Sequence, residues 1–175
     1  MTAVDAPQTR QVAPVAIFLD GTLPICHPRA ERGSEGDFRW CIPGEPIGQG
    51  RPRACVIGGR ARMYTPKKSD SWCGRAVEIL ACHWDGGPSS APVMVTIDAV
   101  FSRPKRLLRR KDPDERILHA CKPDADNVAK ACLDALSKSG VIRDDALVCA
   151  LLVRKWYAAR DEGPQVVISM REGEA

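Results

Sequence analysis

An alternating pattern between Pro92 and Phe101 is the feature that most constrains the fold of this chain. In extended chain, residues two apart lie on the same side, so one set of alternate residues can face a core while the other faces outward. The pattern therefore predicts a strand with one buried face. The two sets are Val93, Val95, Ile97 and Ala99 on one side, and Met94, Thr96 and Asp98 on the other.

The remaining periodicities place other elements around this strand. The predicted strands are Phe38 to Ile42, a hairpin within Ala54 to Thr65 that turns at Gly58-Gly59, Leu147 to Tyr157, and Gln165 to Met170. The predicted helices run from Ser69 or Asp70 to about Trp84, and from the segment around Asp124 to about Ser139, closed by Gly140. Strands, helix, strand, helix and two strands indicate an α+β fold, a single domain with a mixed or antiparallel sheet packed with helices.

Length and composition bound the class of protein. The 175 residues, 44% hydrophobic and 27% charged, suit one globular domain. Residues 1–36 are rich in proline and lack periodicity, so we predict a flexible extension before a folded domain at 37–175. No apolar run approaches the roughly 18 residues of a membrane span. Eight cysteines without a signal peptide indicate reduced thiols in a cytoplasmic protein.

An acidic segment carries the strongest functional signal. Pro123 disfavours helical geometry at Lys122, so the chain reaches the next helix extended. Asp124 is then expected at the helix cap, Asp126 in the first turn, and Lys130 one turn further on the same side. Another pair, Asp144-Asp145, follows the helix. Strand geometry would let one residue of that pair point at the helix N-terminus.

Such a group of acids predicts a metal site. Three converging aspartates would repel unless a divalent cation lay between them, and Mg²⁺ takes oxygen ligands together with waters and phosphate oxygens. A structural reading of the same residues stays open. Asp124 would then be an N-cap, Asp126 a first-turn charge paired with Lys130, and Asp144-Asp145 a turn.

The motifs together resemble those of the RusA family of Holliday junction resolvases. They are Lys122-Pro123-Asp124-x-Asp126-Asn127-x-x-Lys130, Leu133-Asp134-Ala135-Leu136 and Asp144-Asp145-Ala146, preceded by Ile42-Pro43-Gly44-Glu45-Pro46, Gly50-Arg51-Pro52-Arg53 and Tyr64-Thr65-Pro66-Lys67-Lys68. The similarity covers roughly residues 38–170. The 36-residue extension and the long loop before the acidic motif depart from it.

The resemblance implies a small homodimer that cuts four-way DNA junctions with Mg²⁺ or Mn²⁺. It implies that Asp124, Asp126 and Asp145 bind the metal and act in catalysis, and that Lys130 is the catalytic lysine. Asp144 is then a neighbour of the site. A two-fold dimer suits a two-fold junction, because two equivalent sites meet two equivalent strands.

Two basic groups are candidates for phosphate contact. One lies in the loop after Phe101 and includes Arg106, Arg109 and Arg110; the other surrounds the hairpin and includes Arg51, Arg53, Lys67 and Lys68. Either group could instead be a solvated surface. Tyr64 and Trp72 could stack on unpaired bases, although we expect Trp72 in the core.

Other interpretations have weaker support. Phe18 stands where a haloacid-dehalogenase-type phosphatase needs its nucleophilic aspartate, and no Cys-x-x-Cys supports zinc. Cysteines 41, 73, 82, 132 and 149 are expected to be small buried side chains. Two alternatives to a junction resolvase stay open: a nuclease for flaps or forks, and a non-catalytic protein that binds DNA junctions.

Overall fold

A six-stranded mixed sheet and two helices form the body of the protein. A computed structural model describes residues 31–32, 37–50, 53–58, 60–64 and 67–173. The strands of the sheet lie in the order β1-β2-β8-β5-β7-β6, and β3 and β4 form a separate hairpin. The bounds are β1 Glu31–Arg32, β2 Asp37–Pro43, β3 Arg53–Ile57, β4 Arg60–Tyr64, α1 Lys67–Cys82, β5 Val93–Phe101, β6 Ile117–Leu118, α2 Ala125–Lys138, β7 Val148–Tyr157 and β8 Gln165–Glu172.

Strand β5 has one antiparallel and one parallel neighbour. It pairs antiparallel with β8 and parallel with β7, in a register that sets Val95 beside Leu151 and Phe101 beside Tyr157. The other neighbouring strands pair antiparallel. Parallel strands cannot be joined by a tight turn and need a crossover, and α2 lies within the connection from β5 to β7. The predicted α+β class with a mixed sheet is confirmed.

Both helices pack on one face of the sheet. Val93, Val95 and Ile97 of β5 are at most 2% exposed and belong to the same core as Trp72 of α1 and Leu136 of α2. The expectation that Trp72 is a core residue is therefore confirmed. On the opposite face, Met94 and Leu152 are 42% and 51% exposed.

Several element boundaries differ from the sequence-based expectation. Helix α1 begins at Lys67 and ends at Cys82, two residues before Trp84. The ring of Trp84 instead packs edge-on against Phe38 of β2, and its Nε1 donates a hydrogen bond to the carbonyl oxygen of Gly87. Glu31–Arg32 pair with β2 although they belong to the predicted extension. Residues 1–30 and 33–36 of that extension lie outside the described residues.

The cysteines divide into buried and exposed groups. Cys41 and Cys132 are buried, and Cys73 is half-buried. Burial raises the pKa of the Cys132 thiol to about 12. The expectation is wrong for Cys82 and Cys149, which are exposed. Cys82 is the last residue of α1, and Cys149 lies near the beginning of β7, so neither is enclosed between the sheet and the helices. Within the described residues, no helix is long and apolar enough to cross a membrane.

A charged network lies on the sheet face opposite the helices. The carboxylate of Asp98 accepts hydrogen bonds from Arg154 Nε and Nη2, at 2.7 and 2.6 Å, and from Trp156 Nε1 at 2.9 Å. The Asp98 side chain is only 15% exposed. Burial by itself raises the pKa of this carboxyl, but the hydrogen bonds from Arg154 and Trp156 outweigh burial, so the pKa of Asp98 lies below its ordinary value.

This network makes stability depend on pH. Because the folded-state pKa is depressed, the stabilisation is complete above the ordinary Asp pKa of roughly 4 and is lost as pH falls through the lower folded-state pKa. We expect Asp98→Asn to lower the free energy of unfolding by about 1 kcal/mol at pH 7. Urea denaturation of both proteins from pH 7 downward should show the difference shrinking below roughly pH 4. A constant difference at all pH values would assign the effect to packing.

Candidate active site

Helix α2 presents the acidic motif at its N-terminus. Asp124 is the N-cap residue in extended geometry, and Asp126 lies in the first turn, as predicted. The Asp124 side chain makes no capping hydrogen bond. Both aspartates are exposed. An unused capping carboxylate at the positive end of a helix is available to a ligand, which argues against the purely structural reading of Asp124.

A groove of about 340 Å³ runs along one side of α2, facing α1. Side chains spaced by four residues on α2 line it, with Asp70 and Cys73 of α1 opposite. Within the described part of the chain, Asp126 and Lys130 form no ion pair, whereas Lys138 Nζ and Asp134 Oδ2 on the same side of α2 are 4.0 Å apart. The exposed Lys130 ammonium is therefore not engaged by its predicted helical partner. The α2 residues of the groove are Asp126, Asn127, Lys130, Ala131, Asp134 and Lys138.

The segment Gly48–Gly50 crosses α2 beside the acidic residues. The backbone N–H of Gln49 donates to the carbonyl oxygen of Asn127 at 2.8 Å, and its Nε2 donates to Asp134 Oδ2 at 2.5 Å. A Cβ on Gly48 would approach Pro123 Cβ to 2.9 Å, so only glycine fits this crossing without a shift. The sequence analysis missed Gln49, and its position between two glycines was the only signal.

Gln49 lies between two cavities. It lines the groove that holds Asp126 and Lys130, and it also lines a second, more open cavity of about 710 Å³. Asp124 lines that second cavity, together with Lys122 and Pro123. Asp124 and Asp126 thus line different cavities, and Gln49 and Asn127 each line both.

Asp144-Asp145 precedes β7 in a short 3₁₀ turn, not in a strand. The carboxylate of Asp144 accepts a hydrogen bond from the backbone N–H of Ala146 at 2.8 Å, which caps the turn Asp145–Leu147. The Asp145 side chain is exposed and makes no hydrogen bond or ion pair with any described residue. The assumption of strand geometry at this pair is therefore wrong, because a capped turn orients the two side chains instead.

Asp145 lies at the far end of β7 from Asp124. Lys155, near the end of β7, donates hydrogen bonds to the carbonyl oxygens of Cys121 and Pro123, immediately before Asp124. Val148 and Lys155 are seven residues apart on this strand, and a strand rises about 3.3 Å per residue, so these two residues are separated by roughly 23 Å. The prediction that one of the pair points at the N-terminus of α2 is wrong within one chain, because α2 runs back along the sheet before Asp145 is reached.

The acids do not form a closed metal cage. Among the residues that the structure describes, no three histidine, cysteine, aspartate or glutamate side chains come together closely enough to hold a metal ion. Asp124 and Asp126 nevertheless supply carboxylate oxygens, the donors that Mg²⁺ prefers, and Mg²⁺ commonly takes one or two carboxylates and completes its shell with waters and substrate phosphates. The chemistry of these donors fits such a cation.

The basic loop after β5 contains both structural and exposed arginines. The guanidinium of Arg103 donates to the carbonyl oxygens of Ala158 and Pro113, at 2.7 and 2.5 Å. The guanidinium of Arg109 binds the Asp112 carboxylate, and hydrogen bonds from the Arg109 side chain and backbone hold the pKa of Asp112 below its ordinary value. Arg110 is exposed and has no hydrogen-bonding or ionic partner among the described residues.

The other predicted DNA contacts are less fully described. Arg106 is exposed and lies in a 3₁₀ turn, Lys105–Leu107. Arg51 falls outside the described residues. Arg53 begins β3, and Lys67 and Lys68 form the beginning of α1, but their side chains are not described. The hairpin that begins at Arg53 and the helix that begins at Lys67 both follow the Gln49 crossing closely in sequence.

Comparison with known proteins assigns the family. Residues 43–171 match the family model described as Endodeoxyribonuclease RusA. The chain is also 30% identical over 140 residues to the uncharacterized protein YqaN of Bacillus subtilis (strain 168), an alignment that covers 77% of this chain and 96% of the relative. The family model spans both the Gln49 crossing and the acidic residues of α2. This chain is therefore a member of the RusA family of endodeoxyribonucleases.

Proposed function

We propose that this protein is a Mg²⁺-dependent endonuclease that resolves four-way DNA junctions by paired, symmetric nicks. The observation that carries the proposal is that the side chains of Asp124, Asp126 and Lys130 are exposed around one helix N-terminus and make no hydrogen bond or ion pair with another described residue. Family membership supplies the endodeoxyribonuclease class. Because its proposed substrate is DNA, we propose that the protein acts in the cytoplasm.

The chain's own residues have distinct roles in this proposal. Asp124, Asp126 and Asp145 would hold the metal, with Mn²⁺ as a substitute for Mg²⁺. When bound, such an ion activates water and offsets charge on the phosphate. Lys130, from the groove beside Asp126, presents a compact positive charge to the phosphodiester or its leaving oxygen. The positive end of α2 favours the same negative charge.

We propose in addition that the working unit is a homodimer whose sites are shared. A single chain leaves Asp145 at the opposite end of β7 from Asp124, and no group of three acids forms within the described residues. An isologous dimer could bring the partner subunit's Asp145 beside Asp124 and Asp126, and it would present two equivalent sites to a two-fold junction. The acids would then meet only in the assembly.

Replacing Asp126 tests the catalytic role of the acids. We expect Asp126→Asn to reduce cleavage of an end-labelled four-way junction on the order of 100-fold or more, because a carboxylate ligand of the proposed metal ion is lost. Junction binding, measured by gel shift in Ca²⁺, should be retained. Assays on a flap and on linear duplex would identify the preferred substrate. Wild-type turnover by the variant would place the chemistry elsewhere, and binding without cleavage by the wild-type protein would indicate a non-catalytic junction binder.

Mixing two inactive variants tests the shared site. If Asp145 acts across the dimer, a heterodimer of Asp126→Asn and Asp145→Asn contains one site with both aspartates intact. We therefore expect the mixture, after subunit exchange, to recover single-strand nicking that neither variant shows by itself. Recovery should remain below about half of the wild-type rate, since only mixed dimers carry an intact site. A mixture as inactive as its components would place Asp145 in the same chain's site or outside the site.

The salt dependence of binding tests the basic loop. Each phosphate contact contributes about −0.9 to the slope of log affinity against log salt concentration for duplex DNA. We expect Arg110→Gln to reduce the magnitude of that slope by about 1, measured by fluorescence anisotropy with a labelled junction. Arg109→Gln is the matched control: its guanidinium already binds Asp112, so its effect should be smaller. Equal slopes for wild type and Arg110→Gln would make this loop a solvated surface.

A further inference from the structure

Lys155 binds the segment that delivers Asp124 to the site. Its Nζ donates hydrogen bonds to the carbonyl oxygen of Cys121 at 2.6 Å and to that of Pro123 at 2.8 Å. Pro123 is the residue directly before Asp124, the N-cap of α2. The main chain of Lys155 adds a third contact, because its carbonyl oxygen accepts a hydrogen bond from the backbone N–H of His119 at 3.0 Å.

Neighbouring residues on the same face hold the rest of this segment. Lys155 and Tyr157 are two apart on β7 and therefore lie on one side of the sheet, the side that carries α2. The Tyr157 hydroxyl donates to Cys121 Sγ at 3.6 Å. The ring of His119 stacks on Phe101, with centroids 4.0 Å apart, and contacts Tyr157. Burial lowers the pKa of His119, and the nearby Lys155 ammonium lowers it further, so the imidazole beside that ammonium is neutral near pH 7.

The two carbonyl oxygens depend on Lys155. Residues 119–124 follow β6 and precede α2, so their backbone belongs to neither a strand nor a helix. Within the described structure, the carbonyl oxygens of Cys121 and Pro123 accept no hydrogen bond except those from Lys155. Cys121 is exposed and Pro123 is half-buried, and charge-assisted hydrogen bonds from an ammonium are strong ones, so Lys155 ties both carbonyls to β7. Removing the ammonium would leave both groups to water and free the segment.

We propose that Lys155 is a positioning residue: it fixes the backbone immediately before Asp124 and thereby sets where that carboxylate lies. Lys155 acts through the chain and contacts no substrate. The expected effect on cleavage rests on the proposed function, but the placement of the segment can be measured without cleavage. A displacement of about 1 Å at a reacting group can cost on the order of 100-fold in rate, which sets the scale expected here.

The experiment compares Lys155→Met, Lys155→Arg and Arg154→Met in the full-length protein. Methionine keeps the length and apolar stem of the side chain without its donors, and arginine restores donors and charge. Arg154 is the matched control, because it is adjacent on β7 but faces Asp98 on the opposite side of the sheet. The measurements are single-turnover cleavage of a four-way junction in Mg²⁺, junction affinity in Ca²⁺, amide hydrogen exchange of residues 119–126, and the NMR titration of His119.

The expected pattern is specific to positioning. Lys155→Met should lower the cleavage rate about 10- to 100-fold with junction affinity within about 3-fold of wild type, while Lys155→Arg recovers most of the rate. Exchange of residues 119–126 should accelerate in Lys155→Met only, and the pKa of His119 should rise once the neighbouring charge is removed. Arg154→Met should leave these four readouts unchanged.

The exchange and titration readouts separate this inference from the proposed function. If wild type does not cleave junctions, the proposed function fails, yet faster exchange and a raised His119 pKa in Lys155→Met would still support the positioning role. Unchanged exchange in Lys155→Met would overturn that role. A loss of affinity as large as the loss of rate would also overturn it, since Lys155 would then be a DNA contact.

Discussion

The parallel pairing of β5 with β7 is the constraint on which the rest of the structure depends. Two adjacent parallel strands must be joined by a crossover, and this chain makes the crossover with the basic loop, β6 and α2. The helix packs its apolar face on the sheet and runs back from the carboxyl end of the strands toward their amino end. Every candidate catalytic residue lies on that helix or at one of its two ends, so the pairing determines where the acids lie.

That path explains why the acids separate within one chain. Asp124 lies where α2 begins, level with Lys155 near the carboxyl end of β7, and Asp145 lies just before the same strand begins. In open sheets, functional groups often gather beyond the carboxyl ends of parallel strands, and Asp124 follows this rule. Asp145 cannot follow it, because a 3₁₀ turn and then β7 come directly after it. The proposed symmetric dimer is a simple physical way to bring Asp124, Asp126 and Asp145 together.

The polar side chains at and around the site differ in whether they bind other parts of the protein. Arg103 and Lys155 satisfy backbone carbonyls of irregular segments, and Arg154 neutralises Asp98 against the sheet. These residues hold loops and strands in place, and their partners account for their charge. The side chains of Asp124, Asp126 and Lys130 have no such partners among the described residues, so their exposed charges are available to another molecule. The Gln49 crossing packs against Pro123 and Asn127, which neighbour the two aspartates in sequence.

Local chemistry along the chain determined the class and most of the elements. Alternation predicted β5, and Pro123 predicted both an extended approach to α2 and the cap position of Asp124, because each of these features depends on near neighbours in sequence. Only the tertiary structure decided that Asp145 lies a strand's length from Asp124, that Gln49 binds α2 and lines both the cavity of Asp124 and the groove of Asp126, and that Lys155 binds the carbonyl before Asp124. Those contacts join residues far apart in the chain, and they depend on strand register and on the direction of a crossover helix, which spacing along the sequence does not encode.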